Sequence, residues 1–172
     1  MTLWRFVLLW CAALFSVPSL AHDFRLGGLR IDHPYATPSE AGATAAAVYF
    51  RRFGNTGPTD DRLIGASTPV AERVVIHQSV PNAAGLALMY VEPAVELPAG
   101  ASPAFRHTDP DGYHLMLQRL NRSLQVGDRF SLTLHFERAG SVDVVVWVQQ
   151  PRRPAAHDHS SHSHSPRSSS TP

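Results

Sequence analysis

The sequence predicts an all-β fold, an antiparallel sandwich or barrel. Three observations carry this: short β-branched or alternating runs recur through the body, turn residues break them at close intervals, and no run shows a convincing amphipathic helix. In chain order the strands are expected at Phe24–Asp32, Ala45–Arg52, Asp61–Ala66, Glu72–Gln78, Leu86–Glu92, Ala104–His107, Tyr113–Leu120, Phe130–Glu137 and Val142–Gln149. Ser39–Ala47 is alanine-rich and compatible with one helical turn, but Val48-Tyr49-Phe50 draws its end into a strand. The separators are Asn55-Thr-Gly-Pro, Pro81-Asn82, Pro98-Ala-Gly100, Pro110-Asp-Gly112, Gly127-Asp128 and Ala139-Gly140. Each supplies a fixed φ, a tolerated positive φ or a side-chain cap for a turn.

Both ends of the chain differ from this body. Met1–Ala21 reads as a secretory signal peptide: Arg5 is the positive start, Phe6–Phe15 the apolar stretch, and Ser19-Leu20-Ala21 the cleavage site. The uncharged run from Phe6 to Ala21 has 16 residues, short of the roughly 20 that span a bilayer. Cleavage after Ala21 leaves His22 as the first residue of an exported, periplasmic protein with no membrane anchor. From Pro151 the composition shifts to four prolines, seven serines and four histidines in 22 residues, with no large hydrophobic side chain. Such a segment buries too little apolar surface to offset its ordering entropy and is expected to be a disordered tail. The expected organisation is therefore signal 1–21, β domain 22–150 and tail 151–172.

Composition excludes several function classes. The 15 basic residues are all arginine and nearly cancel 14 acids, with no basic run in the body, which argues against a nucleic-acid partner. Cys11, the single cysteine, lies in the signal, so the mature chain has no disulfide, redox pair or thiolate metal site. Blue copper, which needs a cysteine sulfur, is excluded with them. No nucleophile elbow, phosphate loop or carboxylate pair is present, and the chain is expected not to be an enzyme. Asp60-Asp61 and Asp109/Asp111 are read as turn and cap residues.

Histidine and methionine carry the chemistry. The mature chain keeps two methionines, Met89 and Met116, and both fall near histidines. His77 closes the run Arg73–His77, and Met89 follows twelve residues later in the next expected strand. His114 and Met116 are two apart in Tyr113–Leu117, so on a strand they project from one face. Converging, the four would give two imidazoles and two thioethers, a neutral soft donor set that selects Cu(I). Taken singly, each residue fits ordinary packing or surface roles as well.

The stretch from Asp61–Ala66 through Arg73–His77, Met89, Leu97–Gly100, Gly112–Leu117 and Leu132–Glu137 resembles the periplasmic PCu(A)C-type copper chaperones, and Asp32-His-Pro-Tyr35 is similar to their N-terminal strand. The resemblance runs from about Leu26 to Val148 and implies a cupredoxin-like Greek-key β-sandwich. It also implies a copper motif, H(M)x10Mx21HxM, whose positions here are His77, Met89, His114 and Met116. Copper delivery toward the binuclear centre of cytochrome c oxidase, or to another copper chaperone, is the implied activity. The sequence departs from the motif twice. Gln78 stands at the optional methionine, and 24 residues rather than 21 separate Met89 from His114. The extra three fall near Arg106–Pro110, which makes His107 an alternative or transient ligand.

Further candidates lie at the ends. His157, His159, His162 and His164 sit in the tail, where imidazoles suit Cu(II) or Zn(II). His22 with its free amine could chelate copper as a histidine brace, the basis of a copper monooxygenase reading. His33 and His135 are expected to be structural. Arg51-Arg52 and Arg152-Arg153 are read as solvated charge, with contact to an acidic partner as the alternative. Sequestration of copper or zinc without delivery, and a metal-free secreted interaction domain, remain the other function classes.

Overall fold

A computed structural model describes residues 23–151. The signal segment, His22 and the tail histidines His157, His159, His162 and His164 lie outside the described residues. Ten strands make up the domain: β1 Asp23–Leu26, β2 Leu29–Ala36, β3 Ala45–Asn55, β4 Asp61–Ser67, β5 Ala71–Pro81, β6 Ala87–Glu92, β7 Val95–Leu97, β8 Tyr113–Leu120, β9 Arg129–Phe136 and β10 Gly140–Val148. No helix among the described residues is long and apolar enough to cross a membrane.

Hydrogen bonding runs in the order β6-β5-β8-β3-β2-β10-β9-β4-β7, with β1 hairpinned onto β2. The first five strands form one layer and the last four the other, joined where β2 runs parallel to β10 through Tyr35↔Trp147 and Ala36↔Val148. Alternation turns Val48, Phe50, Leu115, Leu117 and Ile76 of the first layer inward to meet Leu63, Leu132, Leu134, Val144 and Val146 of the second. Phe53 stacks on Phe136 across the gap with centroids 6.1 Å apart, although β3 and β9 share no ladder. The result is the all-β Greek-key sandwich that the resemblance implies.

Four local readings are corrected. Phe24–Asp32 is a hairpin rather than one strand, because Gly27 takes φ 57° and turns the chain. Gly28 then lies so close to Gly57 that a Cβ on it would stand 2.5 Å from the Gly57 Cα. Ala104–His107 is not a strand; it is a loop laid against β3, where the Phe50 N–H donates to the Phe105 carbonyl at 2.9 Å. Phe105 is buried there against Phe50 and Phe53, so its apolarity serves the core and not a ladder. Val95–Leu97 is a strand the sequence reading lacks, three residues pairing with Asp61–Leu63. Ser39–Ala47 contains no helical turn; Ser39 and Leu124 exchange hydrogen bonds, and β3 begins at Ala45.

One irregularity sets the outer face of the first layer. In β2 the inward positions shift from Leu29 and Ile31 to Pro34 and Ala36, and the step falls at His33, whose φ is 49°. In β3 the matching step is the exposed pair Arg51-Arg52, between inward Phe50 and Phe53. Asp32 is buried at this step, and Arg51 donates to both of its carboxylate oxygens through Nε and Nη2. The step directs Tyr35 outward, opposite Tyr49, which the alternation of Val48 and Phe50 already turns outward.

Candidate metal centre

The β5–β8 register places His77 directly opposite His114, and Val75 opposite Met116. Cross-strand partners share a face, and since Ile76 and Leu115 point into the core, these four point out of it. The two imidazoles meet edge to face, centroids 5.3 Å apart at 80°. Nδ1 of His77 is buried and has no hydrogen-bond partner. A buried imidazole nitrogen without a partner carries a desolvation cost that a metal ion would relieve.

The methionines flank this pair from opposite ends. Met116 is half-buried, one two-residue step along β8 from His114. Met89 shares the face but pairs with Ser79, one step the other way, while Val91 is opposite His77. With a rise near 3.3 Å and strands near 4.8 Å apart, their Cα atoms are roughly 16 Å from one another. Two thioethers cannot close that span onto one ion without movement of the backbone. Met89 is the one placed to move: it is 57% exposed, on the edge strand of a hairpin.

Burial first, and then the facing imidazoles of His77 and His107, lower the His114 pKa from 6.5 to about 4. The neutral ring, which is the ligating form, therefore persists into acid. His107 belongs to the loop before β8 and reaches this neighbourhood through Tyr49, whose ring it meets edge-on at 5.1 Å. Tyr49 also contacts His114 at 5.7 Å and stacks on Tyr35 at 5.6 Å. The backbone N–H of His107 donates to the Tyr35 hydroxyl at 3.0 Å, which fixes the loop against this aromatic pair. Sequence reasoning missed Tyr49; the only available signal was its outward place in the alternation of Ala45–Arg52, and that says nothing of its neighbours.

The remaining candidates have structural partners. His135 lies between the hydroxyls of Ser67 and Ser141, at 3.1 and 2.9 Å, and His33 Nε2 meets Gln149 Oε1 at 3.3 Å. Asp61 accepts the backbone N–H groups of Arg62, Arg138 and Ala139, Asp60 that of Ala99, and Asp109 that of Arg106. These acids act as caps. Among the described residues no three His, Cys, Asp or Glu side chains converge as a metal site. A metal on this face would thus draw on thioethers as well as imidazoles.

The all-β sandwich is the fold of solved PCuAC domains. The apo PCuAC domain of PmoF1 superposes with a TM-score of 0.62 at 28% identity, covering 76% of this chain and all (100%) of that one. The copper-bound PCuAC domain of PmoF2 gives 0.62 at 29%, covering 76% and 99%. The solution structure of Cu(I)-DR1885 from Deinococcus radiodurans shares the fold, with a TM-score of 0.55 at 23% identity over 76% of this chain and 82% of that one. Residues 29–148 match the family model described as "Putative lipoprotein LpqE-like", and the chain belongs to this LpqE-like family. A curated relative, "Putative lipoprotein Lxx21020" of Leifsonia xyli subsp. xyli (strain CTCB07), is 25% identical over 139 residues, 81% of this chain and 80% of that protein.

Proposed function

We propose that this protein is an exported copper chaperone that carries Cu(I) on the outer face of β5–β8. His77 and His114 are the fixed ligands, Met116 the adjacent thioether, and Met89 the mobile fourth ligand that closes with the β5–β6 hairpin. The observation that carries this reading is the His77–His114 pair, in register, 5.3 Å apart, with a buried Nδ1 that lacks a partner. Support also comes from the copper-bound relative of the same fold and from the soft, neutral donor set, which suits Cu(I). A neutral site binds a monovalent ion without a charge imbalance that would resist its release.

Met1–Ala21 is the export signal and is cleaved after Ala21, placing the domain in the periplasm. The acceptor is the binuclear copper centre of cytochrome c oxidase, and the tail histidines His157, His159, His162 and His164 collect Cu(II). His107, held near His114 by Tyr49, is the alternative ligand when Met89 is open. Cu(I) competition titration of the parent against Met89→Leu and Met116→Leu tests the site. Each substitution weakens binding while the fold persists; equal affinity in both variants rejects the site. Transfer of bound Cu(I) to an apo-oxidase copper domain tests delivery, and retention of copper against that acceptor favours sequestration.

A further inference from the structure

A cleft of about 540 Å³ opens between β3 and the loop that precedes β8, and four arginines, Arg30, Arg51, Arg52 and Arg106, line it together with Asp109 and Asp111. Backbone hydrogen bonds clamp its walls at both ends. The Asn55 N–H donates to the Ala101 carbonyl at 2.8 Å, and the Phe50 N–H to the Phe105 carbonyl at 2.9 Å. Strand and loop come so close that a Cβ on Gly54 would stand 2.4 Å from the Ser102 Oγ. The cleft is thus a fixed feature of the fold.

Its cations are only partly neutralised from within. Asp32 accepts from Nε and Nη2 of Arg51, which leaves Nη1 open on a side chain that is 63% exposed. Asp23 accepts from Nη2 of Arg30, but the Arg30 Nε is buried without a partner, a cost that an incoming acceptor relieves. Arg106 donates its Nε to a neutral group, the Arg51 carbonyl, at 3.2 Å. Among the described residues no ion pair joins Arg52 or Arg106. Asp109 accepts the Arg106 backbone N–H, so the exposed Asp111 is the one uncommitted carboxylate of the lining. With a formal charge of only +1 on the whole chain, this gathering of guanidinium groups is local.

We infer that the cleft docks an acidic protein segment, whose Asp or Glu carboxylates pair with Arg52, Arg106 and the open Nη1 of Arg51. Planar guanidinium forks match carboxylates in shape as well as charge. The position of the cleft says what the docking serves. Its loop wall is bonded to β8 through the Tyr113 N–H and the Ala104 carbonyl at 2.8 Å, one residue before His114. The cleft therefore flanks the His77–His114 face on one side, while the strand on the other side, within Leu86–Val91, carries no charge. Resting on the copper-carrier reading, the docked segment belongs to the acceptor, which the arginines hold beside the metal during transfer. Exposed ion pairs are weak and screened by salt, so the contact is reversible, as release after transfer requires.

The metal-free mature chain beginning at His22 is titrated with a hexaglutamate peptide, blocked at both ends, while its amide resonances are followed. The Gly54 and Ser102 resonances shift, and binding weakens as sodium chloride is raised. Arg52→Gln/Arg106→Gln weakens it roughly tenfold, as loss of two charge-assisted contacts does. Arg138→Gln, which removes the same charge from an exposed position in the other layer, leaves it unchanged. Equal peptide affinity in the double variant overturns the docking site. So does tighter binding of inorganic phosphate than of the peptide, which marks a small-anion site, or salt-sensitive self-association without peptide binding, which marks a second copy as the occupant. Cu(I) transfer to an apo-oxidase copper domain is slowed in the double variant, while its Cu(I) affinity stays parental. Peptide binding with an unchanged transfer rate overturns the role in delivery. Because the peptide titration uses no metal, a failure of the Cu(I) site in Met89→Leu and Met116→Leu is read separately from a failure of the cleft.

Discussion

Acidification of the metal-free protein is the perturbation most directly worked from the structure. His114 is 5% exposed, and its pKa is lowered from 6.5 to about 4, chiefly by burial and then by His77 and His107. In the unfolded chain this imidazole takes its proton near pH 6.5; in the fold it waits until near pH 4. Between those values the unfolded state binds more protons, so stability is complete above about pH 6.5 and is lost as pH falls toward 4. At about 1.4 kcal/mol per pH unit the full effect is about 3 kcal/mol, an upper bound because water reaches the outer face of the sheet. Urea denaturation at pH 7 and pH 4.5 measures it: the parent loses about 2 kcal/mol more than His114→Gln over this interval. The ring proton resonances of His114 report the same event, with a midpoint near 4 in the native state. A midpoint near 6.5, or identical acid sensitivity of parent and variant, refutes the burial argument.

Other perturbations test the scaffold and the surroundings of the site. Asp61→Ala leaves three backbone N–H groups without their acceptor and costs about 2 kcal/mol by urea denaturation, with Asp61→Asn recovering part of it. Phe105→Ala removes the loop's anchor between Phe50 and Phe53 and costs about 3 to 5 kcal/mol, read as a lowered Tm. Tyr49→Ala uncovers His114 and raises its NMR-measured pKa toward the ordinary imidazole value, whereas Tyr49→Phe keeps the ring and leaves it low.

The sandwich was legible because its strands alternate cleanly: β8 and β9 were read almost to the residue, with Leu115, Leu117, Leu132 and Leu134 all inward. The misreadings have local causes. Phe24–Asp32 alternates on both sides of Gly27-Gly28, so apolar pattern alone joins two strands that a positive φ separates. Ala104–His107 has strand-like apolarity because Phe105 fills the core from a loop, and Val95–Leu97 is too short to show a period. The candidate site was legible as spacing but not as geometry. His114 and Met116 share a face by alternation alone, whereas the opposition of His77 to His114 depends on register, which no single strand encodes. The same register sets Met89 against Ser79, a displacement that residue counting could not reveal. Tyr49 reaches the histidines because β3 pairs with β8, which sets Val48 opposite Leu115 and so brings Tyr49 beside His114.

The central claim is that the His77–His114 pair and its flanking thioethers hold Cu(I). Competition with a Cu(I) chelator, carried out on the chain ending at Pro151, measures that site without the tail. The account predicts one equivalent of bound Cu(I), with weakened binding in Met89→Leu and Met116→Leu alike. Cu(I) bound with parental affinity by the double variant Met89→Leu/Met116→Leu would contradict it.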